Sequence, residues 1–291
     1  MERKETERLD VRPLVVGSGG LVGGAVAALC EERYPHTVAA TRAELDVTDR
    51  WRLEAEIERL RPTVVVNCAA IADLEACEED PDLARRVNAE GPAHLARACR
   101  NAGVRLVHLS TDYVFDGSRD GEYAEEDPPA PLGVYGRTKL LGEMAVLEEL
   151  VDAVVLRVSF VHGPGRPTFL DRVAADLRAG RTVRAVDGWR TRPTFNTEIA
   201  RAVDRLLDSD VTGVLHFANR PAVTRLQFAR EIARIVGADP GLVVPVDPSG
   251  LGLRAPRPAS SVLSTARWER LAGEPPADWR LLARRYLEGA P

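Results

Sequence analysis

Tyr135 and Lys139 stand four residues apart in Val134-Tyr-Gly-Arg-Thr-Lys-Leu-Leu-Gly-Glu143. On a helix, positions i and i+4 share a face. A lysine ammonium beside a phenol favours the phenolate, which draws the tyrosine pKa down from about 10 towards working pH. Such a tyrosine can exchange a proton with an alcohol or carbonyl oxygen. The bare spacing also recurs by chance on helix surfaces, so its meaning rests on the elements that would position it.

Those elements alternate. Pro13–Val16 is a short apolar run, followed by glycines and then a helix-like stretch over Leu21–Glu32. His36–Ala40 reads as a strand and Trp51–Arg61 as a helix. Thr63–Val66 has the continuous β-branched character of a strand covered on both faces. Pro81–Ala102 reads as a helix kinked at Pro92, Arg105–Leu109 as a strand, and Ala153–Arg157 as the strand after the Tyr135 helix. Strands separated by helices of this length imply an α/β fold, a doubly wound parallel sheet with right-handed crossovers. Beyond about residue 160 the pattern loosens, although Leu226–Val236 and Trp279–Glu288 read as amphipathic helices, the second with Asp278 as N-cap.

The first strand runs into Gly17-Ser18-Gly19-Gly20-Leu21-Val22-Gly23. Between a strand and a helix, glycines at this spacing permit a tight turn, close backbone approach to a pyrophosphate, and close helix packing. The phosphates then meet free N–H groups at the positive end of a helix. The second strand ends in Ala40-Thr41-Arg42, with no acid until Glu44. An acid here binds the ribose hydroxyls of NAD, whereas arginine accommodates the NADP phosphate, so Arg42 with Thr41 favours NADP(H).

Composition bounds the alternatives. The chain has 291 residues, 45% hydrophobic and 29% charged, with a net charge of -5, which gives nucleic-acid binding no support. Cys30, Cys68, Cys77 and Cys99 lack metal-type spacing and read as free thiols in a reducing cytoplasm. The five histidines are scattered, so no metal site is expected. No apolar run reaches membrane-spanning length, and residues 1–10 read as a charged, mobile tail.

The chain resembles the extended short-chain dehydrogenase/reductases, and within them the dTDP-4-dehydrorhamnose reductase family. The resemblance rests on the glycine turn, Glu44-Leu-Asp-Val-Thr-Asp49, Asn67-Cys-Ala-Ala70, Val87-Asn88, Ser110-Thr-Asp-Tyr-Val-Phe-Asp-Gly117 and Tyr135-Gly-Arg-Thr-Lys139. It continues through Leu156-Arg-Val-Ser-Phe-Val-His-Gly163, Arg192-Pro-Thr194 and Arg257-Pro-x-x-Ser-Val-Leu263. It implies an NADP-binding Rossmann-type domain over residues 11–160, to which residues 188–210 or so return. A smaller C-terminal α/β substrate-binding domain would comprise 161–187 and 211–291. The implied activity is NADPH-dependent reduction of the 4-keto group of a nucleotide-linked 6-deoxy sugar. Tyr135 would protonate the carbonyl oxygen, Lys139 would lower its pKa and hold the nicotinamide ribose, and Thr111 would hydrogen-bond the same oxygen. Asp46 and Val47 would lie along the adenine, with Cys68, Ala69, Ala70 and Asn88 also facing the cofactor. Thr111, Asp112, Val114, Phe115 and Phe160 would face the sugar, while Arg190, Arg192 and Arg257 are candidates to clamp its diphosphate. A homodimer is the assembly the family suggests.

Tyr113 stands where related dehydratases carry a glutamate, which favours a reductase. Several substrate-facing segments depart from the family pattern: Ile71-Ala-Asp-Leu-Glu75 lacks an aromatic ring and a hydroxyl, Trp-Val-Tyr-Gly becomes Phe160-Val-His-Gly163, and Asp-Gln-Gly-Ser becomes Asp187-Gly-Trp-Arg-Thr191. The sugar therefore need not be 4-dehydrorhamnose. The chain also resembles the regulatory beta subunit of methionine adenosyltransferase through Glu125–Tyr135, Ala145–Glu148, Arg192-Pro-Thr194 and Gly213-x-x-His216. That resemblance implies a non-catalytic NADP-binding partner of another enzyme, which retains the same Tyr-Lys pair.

Overall fold

The computed structural model describes residues 10–289, so the tail read at 1–10 lies outside the described residues except for Asp10. The chain begins β1 (Pro13–Val16), α1 (Leu21–Arg33), β2 (Val38–Ala40), α2 (Arg50–Leu60) and β3 (Val64–Asn67). Two short helices follow, α3 (Leu74–Glu79) and α4 (Pro81–Arg85), then a π turn (Arg86–Glu90), α5 (Gly91–Ala102) and β4 (Arg105–Thr111). Next come α6 (Val134–Glu149), β5 (Val154–Val158), β6 (Val161–His162), α7 (Phe169–Arg178), β7 (Val183–Val186), β8 (Thr194–Phe195) and α8 (Asn196–Leu207). The remainder is β9 (Gly213–Phe217), α9 (Arg225–Ile235), β10 (Val243–Val246), α10 (Ala266–Ala272) and α11 (Trp279–Glu288).

The main sheet is parallel, in the order β2-β1-β3-β4-β5-β9. Every residue of β1, β3 and β5 is buried, their apolar runs interrupted only by Asn67 at the end of β3 and Arg157 within β5. One face packs on α1 and α8 through Val26, Ile199 and Val203, the other on α2, α5 and α6 through Leu53, Leu95 and Val146. Each fully buried aliphatic side chain contributes about 1.5–3 kcal/mol. The strand order reverses between β1 and β3, and in open α/β sheets ligands gather at that switch point, beyond the carboxyl ends of the strands.

Several sequence expectations shift. The long helix read at Pro81–Ala102 is helical throughout, with Arg86–Glu90 wound as a π turn. Pro92 lies just after that turn with helical backbone on both sides, and the wider winding before it accommodates its missing N–H. The boundary at 211 also moves. Gly213–Phe217 pairs along β5 as the edge strand of the main sheet, and Trp268 of α10 packs against Phe217 with ring centroids 4.7 Å apart. The smaller core instead gathers α7, β7, α9, β10 and α11 around Phe228 and Trp279. Asp278 caps α11 by accepting from the Arg280 N–H, as read from sequence.

A buried ion pair joins α6 to the sheet. Arg157 donates through Nε and Nη2 to both carboxylate oxygens of Glu143 at 2.7–3.1 Å. Ser110 donates to the same carboxylate, His216 lies 3.3 Å from Nη1, and the Phe115 ring stacks beneath the guanidinium. Both partners are almost fully buried. Removing one leaves the other charge uncompensated, at a cost of about 3–5 kcal/mol. Arg157→Met should therefore lower unfolding free energy by about that amount in urea titrations, whereas adding Glu143→Leu should recover part of the loss.

Candidate active site

The glycine turn follows directly from chain geometry. Gly17 has a φ of +84°, and a Cβ there would lie 2.6 Å from the Ala69 nitrogen. A Cβ on Gly23 would lie 2.1 Å from the Gly17 carbonyl oxygen, so α1 can approach the turn only with glycine at that position. Gly20 caps α1 without a side-chain hydrogen bond, and the first turn of the helix carries no acid. Its leading N–H groups and positive dipole end are thus left for an anion. That arrangement fits a dinucleotide pyrophosphate.

A cavity of 380 Å³ opens beside this turn, at the switch point of the sheet. Gly17, Gly19 and Gly20 line one side, Thr41, Arg42, Asp46 and Val47 a second, and Cys68, Ala69 and Ala70 a third. The lining of this cavity does not include the other residues expected at the cofactor. Gly23 is buried beneath the turn, while Ser18, Leu21 and Val22 are outside the cavity lining. Asn88 is wholly buried and pins the neighbouring loop: it accepts from the Ile71 N–H and donates to the Ile71 carbonyl and Thr138 Oγ1. Its position on the π turn makes it a strut rather than a cavity wall. Ile71, Val87 and Arg166 also line the cavity. Arg166 escaped sequence reading because it lies far along the chain; Asn196 brings its loop in by donating to Pro164 and Leu21 carbonyls at 2.8 Å.

Arg42 donates to Asp46 at 3.3 Å, and Asp46 also accepts from Thr48. These bonds hold the Asp46 carboxyl below its ordinary range even though burial opposes ionisation. Glu44 accepts from the Thr41 backbone and hydroxyl, which likewise lowers its pKa.

Beyond the cavity, Thr111 ends β4 and Tyr135 opens α6. Burial raises the Tyr135 phenol well above its usual value, against the lowering effect of the nearby Thr111 side chain. The expectation that Lys139 would pull the Tyr135 pKa down is therefore not met in the protein by itself. Lys139 lies one turn on with its Nζ donating to the Leu109 carbonyl at 2.7 Å and 3.4 Å from His108 Nε2. Burial pushes Lys139 down to about 8, with Glu143 and Cys68 opposing. Cys68 lines the cavity and so connects the lysine to the dinucleotide turn.

The expected sugar-facing residues divide sharply. Val114 and Phe115 are fully buried and pack with Tyr123 and Leu263, Phe115 stacking on Tyr123 at 4.2 Å. They are core residues, placed inward by the single turn of 3-10 helix after Thr111. Asp112 is also buried: its Oδ2 accepts from Ser159 at 2.8 Å, Ser261 at 2.5 Å and Thr191 at 3.4 Å. Burial raises its pKa against those bonds, and its oxygens face protein hydroxyls rather than a ligand. Phe160 is partly exposed, with a φ of +39°, and packs edge-on to His162 and Phe228.

The arginines differ equally. Arg192 is buried, with Nη1 and Nη2 held by Thr265 and Glu122 and its Nε without a partner among the described residues, so it braces the 190–194 segment. Arg190 is exposed, and its backbone pairs with the 259–261 stretch. Arg257 donates to Glu75 at 2.9 Å and lies with Arg225 beside Tyr113. Arg225 was missed, since nothing around it in sequence distinguishes it from other helix arginines.

A parallel doubly wound sheet, a glycine turn with an uncapped helix behind it, and a tyrosine-lysine helix beside the next strand end define an extended short-chain dehydrogenase/reductase. Residues 11–290 match the model for the RmlD substrate binding domain, and the chain belongs to that family. It is 38% identical to a dTDP-4-dehydrorhamnose reductase of Streptomyces griseus, covering 92% of this chain and 90% of that one. It is 36% identical to a dTDP-4-keto-6-deoxy-D-glucose reductase of Streptomyces niveus, covering 92% and 93%. A dTDP-4-dehydrorhamnose reductase structure from Bacillus anthracis in complex with NADP superposes with a TM-score of 0.89 at 26% identity, covering 96% of this chain and 99% of that one.

Gly23→Ala tests the turn. The added methyl must displace α1 from Gly17, so dinucleotide affinity should fall by at least about tenfold in fluorescence titrations, with helix content by circular dichroism retained.

Proposed function

We propose that this protein is an NADPH-dependent reductase acting on the 4-keto group of a nucleotide-linked 6-deoxy sugar. The observation that carries the reading is the placement of Tyr135 beside Thr111 at the end of β4, with Lys139 buried one turn along α6 and the dinucleotide cavity at the neighbouring strand ends. The names of the relatives and the NADP complex of the structural neighbour support the same substrate class and cofactor.

When bound, reduced nicotinamide supplies the hydride for the sugar carbonyl carbon. The chain's own contribution is protons and position. Burial keeps the Tyr135 phenol protonated, which suits donation to the carbonyl oxygen as charge develops on it. Thr111, close to Tyr135, would serve as a second donor to the same oxygen. Lys139 would hold the nicotinamide ribose and, once near it, replenish positive charge beside the phenol. Arg42 and Thr41 would meet the phosphate that distinguishes NADPH from NADH.

Tyr135→Phe should nearly abolish NADPH oxidation with thymidine-diphosphate 4-keto-6-deoxy sugars while leaving NADPH affinity unchanged; an active variant would refute the proton-donor role. Tight NADPH binding without oxidation across such a panel would instead mark a regulatory binder. Arg42→Ala should weaken NADPH binding and leave NADH binding nearly unchanged, and equal losses would remove the assignment. Lys139 carries its charge below its pKa of about 8 and loses it as pH rises. The kcat/KM for NADPH should therefore decline above that pH, and the decline should vanish in Lys139→Met.

A further inference from the structure

Arg225 is the first residue of α9, with Thr224 as its N-cap and its backbone N–H on the Gly188 carbonyl. These bonds fix its backbone where the smaller core meets the end of β4. Its guanidinium carbon lies 3.0 Å from the centre of the Phe160 ring, and the group reaches the Tyr113 hydroxyl. The Tyr113 ring is 5.9 Å from that of Tyr135. Arg225 therefore stands one side chain away from the proposed proton donor.

The charge around it is poorly balanced. Asp112 is the facing carboxylate, yet its oxygens take hydroxyls from Thr111, Ser159, Thr191 and Ser261. Arg257 adds a second positive charge on the same side, while its own partner Glu75 is shared with the Arg254 and Ala255 N–H groups. His162 also feels Arg225, and burial keeps that imidazole neutral. Nη1 of Arg225 is shielded from solvent and has no hydrogen-bond partner among the described residues. A shielded guanidinium N–H calls for an acceptor, and an anionic oxygen satisfies both the donor and the charge.

We infer that Arg225 binds a phosphate oxygen of the nucleotide-sugar substrate. This rests on the site being a nucleotide-sugar site and gives Arg225 the role expected of Arg192, whose Nη1 and Nη2 are taken by Thr265 and Glu122. It also accords with the altered walls at Phe160–Gly163 and Asp187–Thr191, because Arg225 touches both Phe160 and Gly188.

The test is equilibrium binding, which needs no turnover and so stands apart from the reductase assignment. Thymidine diphosphate, thymidine diphosphate glucose, thymidine diphosphate glucuronate and NADPH would be titrated against the wild type, Arg225→Leu and Arg225→Lys. Unchanged NADPH affinity reports an intact fold. A loss of about tenfold or more for thymidine diphosphate in Arg225→Leu, partly restored in Arg225→Lys, places Arg225 on the phosphates. A loss confined to the glucuronate, with thymidine diphosphate unaffected, overturns the inference. Unchanged affinity for all three thymidine compounds, with NADPH binding intact, overturns the inference.

Discussion

The close seating of α6 against two backbone segments is the constraint on which the rest depends. A Cβ on Gly136 would lie 2.2 Å from the Tyr113 carbonyl oxygen, and one on Gly142 would lie 2.2 Å from the Asn88 carbonyl oxygen. Glycine at both positions lets the helix lie directly on the loop after β4 and on the π turn before α5. Tyr135, adjacent to Gly136, is thereby brought onto Thr111, and Lys139 onto His108 and Leu109. Asn88 locks the arrangement by bonding Thr138 on the helix and Ile71 on the cavity wall. The Glu143-Arg157 pair then fastens the far side of the helix to β5.

Burial has two consequences in this arrangement. It raises the phenol of Tyr135 and lowers the ammonium of Lys139, because each charged form loses water. A tyrosine that holds its proton suits delivery of that proton to a ketone better than removal of one from an alcohol. The smaller core supplies the opposite wall with arginines. Arg257 is paired with Glu75, whereas Arg225 retains a shielded donor without a partner among the described residues.

Local pattern carried much of this into the sequence. The alternating strands and helices, the glycine turn and the Tyr135-Lys139 spacing are each set by neighbours a few residues away, and they were legible. The residues lining the cavity at Thr41–Arg42, Asp46–Val47 and Cys68–Ala70 followed from the turn and from resemblance. Features fixed by distant contacts were not. α3 is six residues long and too short to show a period, while the π turn depends on packing against Gly142. β9 reads as a solitary apolar run, and only its pairing with β5 reveals its sheet. Val114 and Phe115 share a motif with Thr111, yet a single tight turn rotates them into the core. Arg192 and Arg225 look alike in sequence; Thr265 and Glu122 take both terminal nitrogens of the first and leave its Nε open, whereas no described side chain takes Nη1 of the second.

The most direct measurement of the central claim follows the hydrogen itself. Wild-type protein would be incubated with NADPH deuterated at the nicotinamide C4 and a thymidine-diphosphate 4-keto-6-deoxy sugar, and the sugar examined by mass spectrometry and NMR. The account predicts one deuterium at the sugar C4, with stoichiometric formation of NADP. Bound NADPH that remains unoxidised, or a sugar product without label at that carbon, would contradict it.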